Sequence, residues 1–321
     1  MNEFFVQIFF LYGKLAFGVV LGLIMGWKMP PNTSVLLGKF LFWVGVPVSV
    51  VAFLRHADLS GAIWLSPVVA WVAILLGLGL GIFWLKIEAN KVYKNPAIPT
   101  FFVSPPSRLS QGSFLLAAMV GNTGYVGYPV TLALVDQKYF AWALFYDLLG
   151  TMFGAYGLGV MIAASYGNGI KNPLSLGLEM FQNPTLWSFG FGLFFREVPL
   201  PDFGEEILQF FAWFFVALSL VLIGMRLSQL SSWRSFQPAC VSLFIKMLFV
   251  PLILGLAISF LGITGPPLLV IILQMGMPPA FATIVLAETY KLDRELTVTS
   301  LAMGSVALLF TLPMWLWLFA N

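Results

Sequence analysis

Two short stretches decide how this chain folds: Gly121-Asn122-Thr123-Gly124, with Pro129 shortly after, and Gly276-Met277-Pro278-Pro279. Each interrupts an apolar run of membrane-span length, Phe114 to Val135 in the first case and Pro267 to Ala287 in the second. Consecutive prolines remove two backbone donors and clash with the preceding turn, and glycine next to a capping-type asparagine is a poor helix interior. Both spans are therefore predicted to break near the bilayer centre. Broken backbone survives there only where protein or a water-filled cavity satisfies it, and ordinary proline kinks relieved by neighbouring helices are the bland alternative.

The rest of the sequence is that of a polytopic membrane protein. Of 321 residues 60% are hydrophobic and 9% charged, against roughly a quarter charged in a soluble domain, which excludes soluble enzymes, secreted scaffolds and disordered tails. Ten apolar stretches of about 20 residues, the length that crosses a bilayer, fall near Phe4–Trp27, Leu36–Leu54, Ala62–Trp84, Phe114–Val135, Phe140–Ser165, Leu174–Phe195, Leu208–Gly224, Pro238–Leu261, Pro267–Ala287 and Val298–Phe319. The expected fold class is all-α, with ten transmembrane helices. Met1-Asn2-Glu3 carries no basic region before the first apolar run, so that run reads as a retained span. The Pro-rich stretch Glu88 to Gln111 reads as a connector, and the whole chain as one membrane domain.

Loops after odd-numbered spans, taken with Lys39 at the start of span two, hold eleven Lys and Arg residues, and those after even-numbered spans hold only Arg55, Lys138 and Arg196. The odd loops are then cytoplasmic and both termini face outward. The net charge of +3 is scattered, with no basic block to follow a nucleic-acid backbone. Cys240 is the single cysteine, so no intrachain disulfide forms, and no metal site or resident cofactor is expected.

Sliding the chain by 170 residues lays Phe40 on Phe210, Trp43 on Trp213, Val46 on Val216, Ser49 on Ser219 and Val51 on Val221. With five spans per half, this predicts a 5+5 inverted repeat, and the paired interruptions in spans four and nine point to the transport site. Asn122 or Thr123 is the expected N-cap where span four restarts, and Pro278 or Pro279 is expected in the first turn of the restarted span nine. Two helix N-termini meeting there would favour an anion.

The run Gly121 to Pro129, and the run Met277-Pro278-Pro279-Ala280 leading through Ala287-Glu288-Thr289-Tyr290 to Thr311-Leu312-Pro313, resemble the auxin efflux carrier family, which includes the plant PIN carriers and prokaryotic malonate permeases. The resemblance covers all ten spans. It implies a fold like that of the bile-acid/sodium symporters, with scaffold helices in residues 1–60 and 172–232 and transport helices in 61–171 and 233–321. It also implies carriage of small organic anions by an elevator-like motion, and a homodimer held through scaffold spans two and seven. The short central loop resembles the prokaryotic members, which suggests a prokaryotic cytoplasmic membrane. Two departures stand out. Span three has no acidic residue where plant members place some proposed as proton-linked, and Met277 stands where other members carry asparagine, which counts against auxin itself as the substrate.

The expected substrate-binding residues are Asn122, Thr123, Gly124, Tyr125, Gln274, Met277, Pro278 and Pro279. Lys14, Asp147, Glu179 and Lys246 are charged residues deep inside spans, and each is open to two readings: charge or coupling groups of an anion path, or structural pairs, with Asp147 or Glu179 as partner to a lysine. Coupling to protons or to sodium stays open. His56 reads as a solvated loop residue, and Asp293 and Glu295 as helix-entry residues. The function expected is a secondary active or facilitative transporter of a carboxylate. A non-transporting ligand sensor or an anion channel of the same fold is the alternative. The protein is not expected to be an enzyme: His-Glu-x-x-His, Gly-x-Ser-x-Gly and Gly-x-Gly-Asp are all missing from it.

Overall fold

The computed structural model describes residues 17–30, 32–94, 107–167, 182–228 and 235–320. Among these, all regular structure is helical. Six helices are long and apolar enough to cross a membrane: α2 (Asn32–His56), α3 (Leu65–Lys94), α6 (Gln137–Tyr166), α8 (Asp202–Leu227), α9 (Phe236–Phe260) and α12 (Arg294–Phe319). The fourth and ninth predicted spans are each two shorter helices, α4 (Arg108–Met119) with α5 (Tyr128–Leu134), and α10 (Gly265–Met275) with α11 (Phe281–Thr289). The described parts of the first and sixth spans are α1 (Phe17–Lys28) and α7 (Pro184–Phe195). Helix α3 runs about ten residues past the predicted span end and takes in the first part of the expected connector, because loss of hydropathy marks where the bilayer stops, not where helical hydrogen bonding stops.

Three of the long apolar runs contain a wide π-helical stretch two residues before a proline: Leu41–Gly45 before Pro47, Thr123–Gly127 before Pro129, and Phe244–Phe249 before Pro251. A proline cannot donate to the carbonyl four residues back and its ring pushes that carbonyl aside, so the preceding turn widens. The first of these stretches lies in α2, the second leads into α5, and the third, in α9, carries Lys246.

The chain falls into two compact units. The first consists of the described residues within 1–63, 124–144 and 182–230, where α2 packs on α7 and α8. Leu41, Phe215 and Leu222 form a small core there. Helix α1 lies backbone to backbone on α8: a Cβ on Gly22 would stand 1.9 Å from the Val221 carbonyl oxygen, and one on Gly224 1.9 Å from the Val19 carbonyl oxygen. Only glycine permits that approach, as at other small-residue helix crossings in membranes.

At one end of this unit Arg55 ties three elements together. Its Nε donates to Glu205 at 3.0 Å, its two Nη groups donate to the carbonyls of Phe195 (2.5 Å) and Val198 (3.0 Å), and the guanidinium lies 5.1 Å from the Phe195 ring centre. His56, expected to be a solvated loop residue, is exposed but is the last residue of α2, and it meets Glu205 at 2.7 Å. Arg55→Met takes the side-chain donor from the Val198 and Phe195 carbonyls, the latter keeping the Val198 N–H, and leaves Glu205 with His56 alone; it is expected to destabilise the protein by about 2 kcal/mol, less than a fully buried pair because Glu205 is partly exposed. A thermal melt in detergent measures this, and an unchanged midpoint would show the cluster to be ornamental.

The second unit consists of the described residues within 64–123, 145–181 and 231–321. Its core includes Ile74, Leu116, Met119, Val120, Ala155, Ala280, Leu286 and Tyr290, packed about the two helix interruptions. Asp293 caps α12, its carboxylate accepting from the Leu296 N–H at 3.0 Å and from the Ser110 hydroxyl at 2.7 Å. This agrees with its reading as a helix-entry residue.

Candidate functional site

Both predicted interruptions exist, and they cross. Helix α4 ends at Met119, Val120 is extended (φ −107°, ψ 118°), and Gly121 pairs with Pro279 as an antiparallel bridge, the one isolated bridge among the described residues. The Asn122 N–H donates to the Pro278 carbonyl at 2.7 Å, and the Ala280 N–H donates to the Val120 carbonyl at 3.1 Å. Each broken strand of backbone thus satisfies the other, which is what a helix break at membrane depth requires.

The position of the prolines corrects the sequence reading. Pro278 and Pro279 lie in the extended crossing segment, and α11 begins two residues later with Ala280 (φ −72°, ψ 149°) at its N-cap. A residue that precedes proline is pushed out of the α region, so Met277 and Pro278 cannot start a helix, and Pro279 is held by its pairing with Gly121. Asn122 stands immediately before the helical restart at Thr123 and contributes its backbone N–H to the crossing. The Thr123 hydroxyl donates to the Asp147 carboxylate in a short hydrogen bond.

Lys246 is the residue that most changes the chemistry of the crossing. Its side chain is buried, at 4% exposure, and Nζ donates to the Met275 carbonyl at 2.6 Å. A Cβ placed on Gly121 would stand 3.0 Å from Nζ. The ammonium therefore lies beside both interruptions, on the last carbonyl of α10. Among the described residues no carboxylate lies within ion-pair distance of it. Among the described residues it makes this one hydrogen bond.

Two further donors accompany it. The Asn122 side chain is 4% exposed and has no hydrogen bond among the described residues. The Trp315 indole N–H, on a side chain 1% exposed, is without a hydrogen-bond partner there and stands 2.9 Å from where a Cβ on Gly276 would be. Trp315 was not foreseen: an indole in an apolar span has no local sequence signal of its own. Gln274 and Met277 are fully buried at the second break. Lys246, Asn122 and Trp315 thus each place a donor at one of the two breaks, and donors of this kind suit a ligand rich in acceptors.

With this geometry in view, comparison with known proteins is informative. The model of a family described as membrane transport protein matches residues 5–316, nearly the whole chain. The chain belongs to that family, the one that includes the auxin efflux carriers. An uncharacterized transporter of Methanothermobacter thermautotrophicus is 26% identical over 285 residues, 87% of each chain. An uncharacterized transporter of Methanocaldococcus jannaschii is 28% identical over 218 residues, 65% of this chain and 69% of its own.

Five expected site residues of this membrane transport protein remain: Lys14, Gly124, Tyr125, Asp147 and Glu179. Gly124 and Tyr125 belong to the first unit. There Tyr125 stacks on Phe42 at 5.5 Å, and Gly124 and Tyr125 border a cavity of about 20 Å³ with Val46, Ser49, Val216 and Ser219. Lys14 and Glu179 lie outside the described residues. Asp147 is half-buried in a π-helical stretch, Tyr146–Met152, and receives the Thr123 hydroxyl.

Proposed function

We propose that this membrane transporter is a secondary active or facilitative carrier of a small organic anion, a carboxylate of the malonate or auxin kind, bound at the crossing and offered to the two faces in turn. Lys246 carries this reading. Four half-helix ends meet at the crossing, two carbonyl ends and two amide ends, so their partial charges of about half a unit each largely cancel. The amides of Asn122 and Ala280 are moreover spent on the opposite strand. Helix ends alone then give no strong preference of sign. One buried amine, with a single hydrogen bond among the described residues, tips the balance, because a bound carboxylate offsets the cost of holding its charge away from water. A carboxylate brings about four acceptor sites for the donors of Lys246, Asn122 and Trp315.

The larger architecture proposed is ten spans in a 5+5 inverted repeat. In it the transport helices of 61–171 and 233–321 move in an elevator-like way beside scaffold helices of 1–60 and 172–232. Support for the repeat comes from Val46 with Val216 and Ser49 with Ser219, equivalent residues of the two halves that border one cavity. Support for a homodimer through spans two and seven comes from the outward aromatic face of Trp43, Phe210 and Phe211. Both termini outward, in a prokaryotic cytoplasmic membrane, completes the proposal.

Uptake into proteoliposomes tests the function. Saturable uptake of mono- or dicarboxylates is expected, with none of organic cations or sugars. Asn122→Ala removes one hydrogen bond to a charged ligand and is expected to lower uptake by about tenfold or more. Saturable uptake of an organic cation, binding without flux, or a non-saturating current would each overturn the carrier reading.

A further inference from the structure

We infer that Lys246 is a tethered cation filling the cation position of the crossing, so that anion binding by this protein requires no sodium or other metal ion. The inference rests on the proposed anion site and says how that site is kept electrically complete. In carriers with broken helices, unwound carbonyls and half-helix C-terminal ends are where a coupling cation is held. At the second break that position is already taken. The last bonds of α10 run from the Gly276 N–H to Ile272 and from the Met277 N–H to Gln274. The Met275 carbonyl, next after Gln274, accepts from Lys246 Nζ at 2.6 Å. At the first break the Val120 carbonyl accepts the Ala280 N–H instead.

The ammonium is delivered covalently, from the π-helical stretch Phe244–Phe249, and is buried there with no carboxylate beside it among the described residues. A metal cation added next to it would face an unscreened like charge. A fixed cation leaves a different device: its single charge stays at the crossing, attracting an anion without travelling with it.

Three purified full-length proteins, wild type, Lys246→Ala and Lys246→Met, test the inference by thermal shift. Each is measured first without carboxylate, in sodium chloride against choline chloride at equal ionic strength, and with n-propylammonium, the fragment that Lys246→Ala removes. Malonate is then titrated in each salt. Wild type is expected to melt at the same temperature in both salts and to respond equally to malonate in both. Lys246→Ala is expected to lose at least about tenfold in malonate affinity, a loss of about 1.4 kcal/mol. It is also expected to gain saturable stabilisation from propylammonium or sodium, with malonate binding restored. Lys246→Met, whose thioether fills the space without charge, folds but is not rescued. Saturable stabilisation of wild type by sodium, or a Lys246→Ala protein that no cation stabilises, would overturn the tethered cation. The arm without carboxylate keeps the two ideas apart: absence of any anion response in wild type sinks the carrier reading, while the cation response still judges Lys246.

Discussion

Gly224→Leu is expected to leave little folded protein. A Cβ at this position would stand 1.9 Å from the Val19 carbonyl oxygen, 2.7 Å from the Leu23 nitrogen and 2.8 Å from the Val19 carbonyl carbon. All three are backbone atoms of α1, so no rotamer change relieves the overlap and the two helices must part along their contact. Overpacking a core costs 1–3 kcal/mol where side chains can adjust; here the loss should exceed about 3 kcal/mol because the obstacle is main chain. Gly190→Ala in α7, which meets nothing within 4 Å, is the control and should gain up to about 1 kcal/mol from helix propensity. Melting midpoint and monodisperse yield in detergent report both. Normal yield and stability of Gly224→Leu would refute the backbone contact between α1 and α8.

Gly121→Val should produce the opposite pattern, a nearly intact fold with transport lost. Its Cβ would meet Lys246 Nζ at 3.0 Å and Cε at 3.1 Å, and these are the far end of a flexible side chain, which yields where backbone does not. Yielding takes the ammonium off the Met275 carbonyl and out of register with a bound carboxylate. Misplacing one member of a buried charge interaction costs 2–5 kcal/mol, so uptake should fall roughly 100-fold. Initial rates in proteoliposomes, read beside the melting midpoint, check this. Wild-type rates in the variant would show that the position of Lys246 is irrelevant to the anion.

The contrast between these two glycines shows how legibility differs along the chain. Pro278, Pro279 and Gly121 announce broken helices because proline and glycine act on their own backbone, within a few residues, whatever surrounds them. Lys246 is conspicuous as a charge in an apolar run, but its partner is not. Met275 is 29 residues away and on a different helix, and only the packing of α9 beside α10 brings carbonyl and ammonium together. Trp315 is one of 11 tryptophans, and its orphan N–H becomes visible only once Gly276 is placed beside it. The electropositive helix ends expected from the sequence were also half the picture, since each break contributes a carbonyl end as well as an amide end.

What the sequence determined by itself was therefore the local part: helical spans from apolar length, the two interruptions from backbone chemistry, and the family from the motifs that mark them. The tertiary structure alone decided where the prolines sit, because Gly121 pairs with Pro279 across a long sequence separation. It alone also brought Lys246 to the crossing, on which the proposed sign of the site rests. Whether a buried charge is neutralised or left for a ligand depends on what other elements bring within about 4 Å of it, and no single stretch of chain specifies that.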